Sequence, residues 1–216
     1  MKKEDIKVLI MILGLVILET VVFFVCKFSP IEPTLLESSF DNNLPFVSWF
    51  GILYCLWYIY LFLIPYLFYK KDRKCFFKYF SITIICIIIA AFVFILYPTT
   101  VNRNVNFENT NLIMKYVLKF IYFMDTPALC CLPSMHCVLS FNFIYLSLKV
   151  KDLKWYYKFL ICVTSIGIAF STLFIKQHVI WDVYAAIAVI ILGILIDKFV
   201  DLDKFIEKKF DKFNLK

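Results

Sequence analysis

Histidine is nearly absent from this chain: 216 residues hold two, His136 and His178. No internal repeat and no low-complexity linker divides the sequence, which argues against a solenoid or a second domain. No paired aspartates of the kind that hold magnesium occur, and the eight cysteines fit no ordinary zinc spacing, even where Cys130-Cys131 and His136-Cys137 lie close. The sequence therefore predicts no metal and no cofactor. Charge is missing from long stretches: 28 residues between Asp41 and Lys70 carry none, nor do 24 between Lys78 and Arg103. Each run exceeds the roughly 20 residues needed to cross a hydrocarbon core.

What is present is apolar. Hydrophobic residues make up 62% of the chain and aromatics 19%, more than a water-soluble domain of this size can bury. In lipid, backbone polar groups must be satisfied within the segment, so the spans are helices. The expectation is an all-α integral membrane protein, a six-transmembrane-helix bundle with spans near 6–27, 46–69, 79–98, 133–149, 155–175 and 178–198. The fourth is long enough only if it starts at Pro133 or earlier, and proline suits a first helical turn. Eighteen of the 23 basic residues cluster at one end of these spans, leaving Lys27, Arg103, Lys115, Lys119 and Lys176 at the other. The positive-inside rule then places both termini in the cytoplasm, in a multi-pass protein of the cell membrane. Lipid accounts for the net charge of +7 without a nucleic-acid partner.

Residues 1–198 read as one membrane domain. A basic start with no small-residue cleavage site ahead of Cys26 predicts a retained anchor rather than a removed leader. Residues 199–216 read as a cytoplasmic amphipathic tail, with Phe199, Leu202, Phe205, Ile206, Phe210 and Phe213 on one face against anionic lipid. Residues 111–124 form a second amphipathic stretch, at the outer surface. Glu19, in the middle of the first span, reads as a protonated or paired carboxyl within the packing, and Asp125 as a loop cap first and a residue shaping the headgroup pocket second. Tyr97 and Trp181 read as interfacial aromatics. The outer positions of Cys26, Cys130 and Cys131 would allow a disulfide in an oxidising compartment.

The lysine-derived topology brings Arg103, Ser134, His136, Ser171, Thr172, Lys176, His178 and Asp182 to the outer face, where a lipid headgroup sits. His178 and Asp182 are four apart, hence one turn apart on one helical face. The carboxylate can take the Nδ1 proton and leave Nε2 as a lone pair, the orienting device of a catalytic triad applied to a histidine nucleophile. His136, at the start of another helix, can protonate a leaving oxygen. Ser134 and the free N–H groups of that helix can bind phosphate oxygens, as can the planar fork of Arg103.

These residues resemble the type 2 phosphatidic acid phosphatase superfamily, which carries Lys-x6-Arg-Pro, Pro-Ser-Gly-His and Ser-Arg-x5-His-x3-Asp. Here the second motif is Pro133-Ser134-Met135-His136, and the third is Ser171-Thr172, five residues, His178, three residues, Asp182. The resemblance covers residues 97–186. The first motif survives only as Arg103, with Leu96 in the lysine position and Asn104 in the proline position, and Thr172 replaces the arginine of the third. This pattern looks like the branch containing inositol phosphorylceramide synthase. The resemblance implies an outer-face active site in which His178 is the nucleophile, Asp182 its orienter and His136 the acid. Arg103, Ser134, Thr172 and Lys176 would hold phosphate, although Thr172 also reads as a neutral filler and Lys176 as an interface anchor. The leading expectation is a metal-independent lipid phosphate phosphatase working through phosphohistidine. A lipid phosphotransferase passing the group to inositol or another alcohol, and a non-catalytic transporter or scaffold, stand as alternatives. The sequence assigns neither the lipid nor an oligomeric state.

Overall fold

A computed structural model describes residues 3–107 and 110–213. Lys2 and Lys216, counted above among the basic residues, lie outside that range. The described chain is all-α apart from one pair of two-residue strands. Its elements are α1 (Lys3–Cys26), β1 (Thr34–Leu35), α2 (Ser39–Asn43), α3 (Phe50–Lys71), α4 (Arg73–Leu96), β2 (Thr99–Thr100), α5 (Leu112–Met124), α6 (Met135–Lys149), α7 (Trp155–Phe174), α8 (Ile180–Asp197) and α9 (Leu202–Lys212). Among the described residues five helices, α1, α3, α4, α7 and α8, are long and apolar enough to cross a membrane. At 1.5 Å per residue, the 15 residues of α6 rise about 22 Å, against the roughly 30 Å of a hydrocarbon core. Pro133 does not open α6. Ser134 is its N-cap and Met135 its first residue, so the helix starts two residues later than the sequence suggests.

α4 starts at Arg73 rather than near residue 79, because Asp72 makes the turn alone. Its N–H closes α3 on the Phe68 carbonyl, and its carboxylate accepts from the Cys75 N–H at 3.2 Å. The intervening basic residues therefore sit in two helix ends instead of a loop.

Short as it is, α6 lies at the centre, packed against α3, α4, α7 and α8. Phe143 stacks on Tyr79 with ring centroids 5.6 Å apart, and the Asn142 amide donates to the Thr83 hydroxyl at 3.0 Å. α4 and α8 approach closely at Gly193, where a Cβ would lie 2.6 Å from the Cys86 sulfur. Overpacking of this kind costs about 1–3 kcal/mol. Gly193→Val is expected to lower the melting temperature of detergent-purified protein, whereas Gly14→Ala, with nothing within 4 Å of the new Cβ, is expected not to.

At the basic end, α9 folds back onto α4. Arg73 pairs with Glu207 at 2.9 Å and with Asp211, and Lys78 bridges Asp197 at 2.8 Å. Phe210 is buried among Tyr69, Phe76 and Phe77. The six apolar residues expected on one face are thus divided: Phe210 and Ile206 pack on the bundle, while Phe199, Phe205 and Phe213 are exposed.

The opposite end, which carries both histidines, is covered by irregular chain. β1 and β2 pair in parallel, Thr34 opposite Thr99. α5 lies across this end with Met114, Leu118 and Ile121 fully buried, while Leu112, Ile113, Tyr116, Phe120 and Phe123 are exposed.

Candidate active site

The turn between α7 and α8 places the first histidine. α7 ends at Phe174, and the chain reverses through Lys176, whose φ of 57° lies in the left-handed region. The Thr172 carbonyl accepts from the N–H groups of both Gln177 (2.9 Å) and His178 (3.0 Å). Asp182, in the first turn of α8, reaches back with one oxygen. That Oδ2 accepts from the Val179 N–H at 3.1 Å and lies 2.9 Å from His178 Nδ1. An ionised carboxylate only accepts, so the proton between them belongs to Nδ1 and Nε2 carries the lone pair. Asp182 is fully buried, and its carbonyl accepts from the Ser134 N–H at 3.3 Å, which fixes the start of α6 against α8.

That contact brings the second histidine alongside. The His136 and His178 rings are 6.2 Å apart between centroids. His136 is held between Tyr54 at 4.3 Å and Trp57 at 4.0 Å, both from α3. Its Nε2 is buried with no hydrogen-bond partner.

Arg103 closes the third side. Its NH1 donates to the Asp125 carbonyl at 3.0 Å and its NH2 to the Gln177 carbonyl at 3.4 Å, while the Asp125 carboxylate lies 3.7 Å away. The Arg103 Nε is buried and unpartnered. Asp125 also accepts from the Tyr54 hydroxyl at 3.0 Å. Burial opposes its ionisation, but the Arg103 guanidinium above all, with smaller help from the neighbouring imidazoles and the Tyr54 hydrogen bond, outweighs it and holds the carboxyl below its usual range. Its pairing with Arg103 is therefore present at neutral pH and is lost only as pH falls through that depressed value.

Arg103, Asp125, His136 and His178 form the head of a cavity of about 180 Å³. Below them the walls are apolar, with Val16 and Phe23 from α1, Leu61 from α3, and Ile87 and Phe94 from α4; Glu19 lies on the same wall as Val16. His178 also borders a second, more polar pocket of about 400 Å³, lined by Asn42, Asn102, Asn104 and Asn106. One imidazole thus stands between an apolar space and a polar one.

No family model, curated protein or solved structure matches this chain. What the site can do follows from its own atoms.

Of the residues singled out from the sequence, His136, His178, Asp182 and Arg103 come together. Ser134 sits just behind them, its Oγ buried, making no cap hydrogen bond and without a partner. Thr172 points away: its hydroxyl donates to the Ala169 carbonyl at 2.8 Å, and its part in the site is played by its backbone oxygen. Lys176 is engaged elsewhere, donating to the carbonyls of Asp41 (2.7 Å) and Leu44 (2.6 Å). Burial pushes its ammonium pKa down, against the attraction of Asp41.

Three residues enter that sequence reasoning did not assign to the site. Tyr54 and Trp57 are three apart on α3, the spacing of any core-facing stripe. Asp125 both caps the end of α5 and borders the cavity, the two roles expected of it. Glu19 lines the cavity, where it read as a packing residue. All eight cysteines are free thiols, and burial pushes the Cys130 thiol up to about 12. Among the described residues no group of three or more His, Cys, Asp and Glu side chains converges as a metal site.

Proposed function

We propose that the protein is a multi-pass membrane enzyme that removes phosphate from a lipid phosphate through a phosphohistidine on His178. In this reading α6 completes a six-span bundle, both termini lie in the cytoplasm, and the site opens at the outer face. The observation that carries the proposal is the His178–Asp182 pair at 2.9 Å, facing a second imidazole and an arginine at the head of an apolar cavity. The resemblance of residues 97–186 to the type 2 phosphatidic acid phosphatases points the same way.

The lipid tail would lie in the apolar cavity with its phosphate between the two rings. The two rings stand 6.2 Å apart between centroids, so one phosphate at the head of the cavity can meet both the nucleophile and the acid. His178 Nε2 attacks phosphorus, the P–O bond to the lipid breaks, and the leaving alkoxide takes a proton from protonated His136. Water then attacks the phosphohistidine, His136 takes back a proton, the N–P bond breaks and phosphate leaves. Arg103, through its unpartnered Nε, and the Ser134 hydroxyl stabilise the charge on the equatorial oxygens. Trp57 and Tyr54, stacked on His136, fix the plane of the imidazole beside His178.

One observation favours transfer as a second reading. The polar pocket on the Asn102–Asn106 side of His178 has room for an acceptor alcohol in place of water. Amides both donate to and accept from hydroxyls.

Purified protein in liposomes is expected to release labelled phosphate from at least one of phosphatidic acid, a sphingoid phosphate and a polyprenyl diphosphate, with inhibition by vanadate. Label moving to an added alcohol would assign transfer. No turnover across the panel would sink both enzymatic readings.

A further inference from the structure

Two cations expected around the phosphate are missing, at Leu96 and Thr172, and Lys176 is tied to two backbone carbonyls on the far side of the turn. A phosphate monoester at neutral pH carries close to two negative charges, and Arg103 is already faced by Asp125. The site as described so far is therefore close to neutral where it should be positive.

Lys27 follows the last residue of α1, at the end of the molecule that holds the histidines. Its ammonium lies 4.2 Å from the centre of the Phe23 ring and 5.4 Å from that of Phe24, and both side chains line the apolar cavity. The same nitrogen lies 3.5 Å from the carbonyl of Thr126, the neighbour of Asp125. It is attracted electrostatically by Asp125 and repelled by Arg103, so the three charges share one locality. Its hydrogen bond is long and neutral, easily exchanged for a charged acceptor, and its four-carbon stem lets the head swing without moving the backbone.

We propose that Lys27 is the second cation of the phosphate site, standing at the rim of the cavity and closing on the lipid phosphate from the side opposite the histidines. This rests on the lipid phosphate reading above. Arg103 and Lys27 together outweigh Asp125 by one positive charge. The clamp is thus shared between α1 and the segment after α4, instead of being concentrated beside the nucleophile. Because Phe23 and Phe24 carry the ammonium, α1 supplies both a wall for the chain and the charge that draws the headgroup to its mouth.

The test compares wild type, Lys27→Met and Lys27→Arg, each with unchanged melting temperature, by steady-state kinetics on the best labelled lipid phosphate and by calorimetric titration with orthovanadate. Lys27→Met is expected to raise KM and weaken vanadate binding by roughly tenfold or more while kcat changes by less than about threefold, and Lys27→Arg to restore most of the loss. High salt should weaken vanadate binding in the wild type more than in Lys27→Met and so narrow the gap between them, because a rim charge is screened. Vanadate binding and KM within about twofold of wild type in Lys27→Met would overturn the assignment. A wild type that neither binds vanadate nor turns over any lipid would instead overturn the phosphoryl-transfer reading itself.

Discussion

Alanine at position 178 is expected to abolish the phosphoenzyme and lower kcat by on the order of 10⁴-fold or more. Wild-type protein quenched during turnover of a labelled lipid phosphate should carry acid-labile, alkali-stable label, the signature of a phosphorus–nitrogen bond, and His178→Ala should carry none. The magnitude follows from the role. The other imidazole, His136, is stacked between two aromatic rings and has no carboxylate on its ring nitrogen to orient it. The ring is nearly buried, but its backbone is held by the Thr172 carbonyl, which alanine leaves intact. A folded, lipid-binding and inert variant is the expected product. Full activity in His178→Ala would remove the nucleophile from the mechanism.

Asp182→Asn is the more discriminating change, expected to lower kcat by about 10⁴-fold with little loss of stability. The asparagine oxygen can still accept from the Val179 N–H, so the start of α8 survives. The same atom, Oδ2, serves both the Val179 N–H and His178 Nδ1, so an amide oxygen placed there keeps both contacts but carries no charge. A neutral oxygen does not offset the positive charge that the imidazole gains when Nε2 attacks, so turnover falls while the geometry stays. Asp182→Asn should therefore retain vanadate affinity better than it retains turnover. Equal losses in both would mean that Asp182 acts on the structure of the pocket and not on the state of the histidine.

The parts of this site legible in the sequence are those fixed by local geometry. His178 and Asp182 lie within one helical turn, and their spacing alone brings them together. Arg103 and His136 could be assigned to the same end because lysines mark the opposite one. The aromatic clamp was hidden, since Tyr54 and Trp57 show the spacing of any core-facing stripe, and only the packing of α3 against α6 turns them on His136. Asp125 was legible as a cap, but its partner was not, because Arg103 arrives there from 22 residues away. Lys176 shows the converse. Its position two residues before the nucleophile suggested a site cation, but a left-handed turn sends the side chain to Asp41 and Leu44. Among the elements, α4 was read too short because a run of charge looked like a loop, where a single capped aspartate suffices.

The way the nucleophile is held has a consequence for how such a site can change. His178 and Asp182 are located by the Thr172 carbonyl, the Val179 N–H and the bond from the Ser134 N–H to the Asp182 carbonyl. Every amino acid offers a carbonyl, and every one but proline an N–H. Position 172 can therefore exchange a cation for a hydroxyl without shifting the imidazole. The position of the pair thus rests largely on main-chain atoms, so under the proposed reading the side chains that would meet the anion can be exchanged while His178 stays where it is.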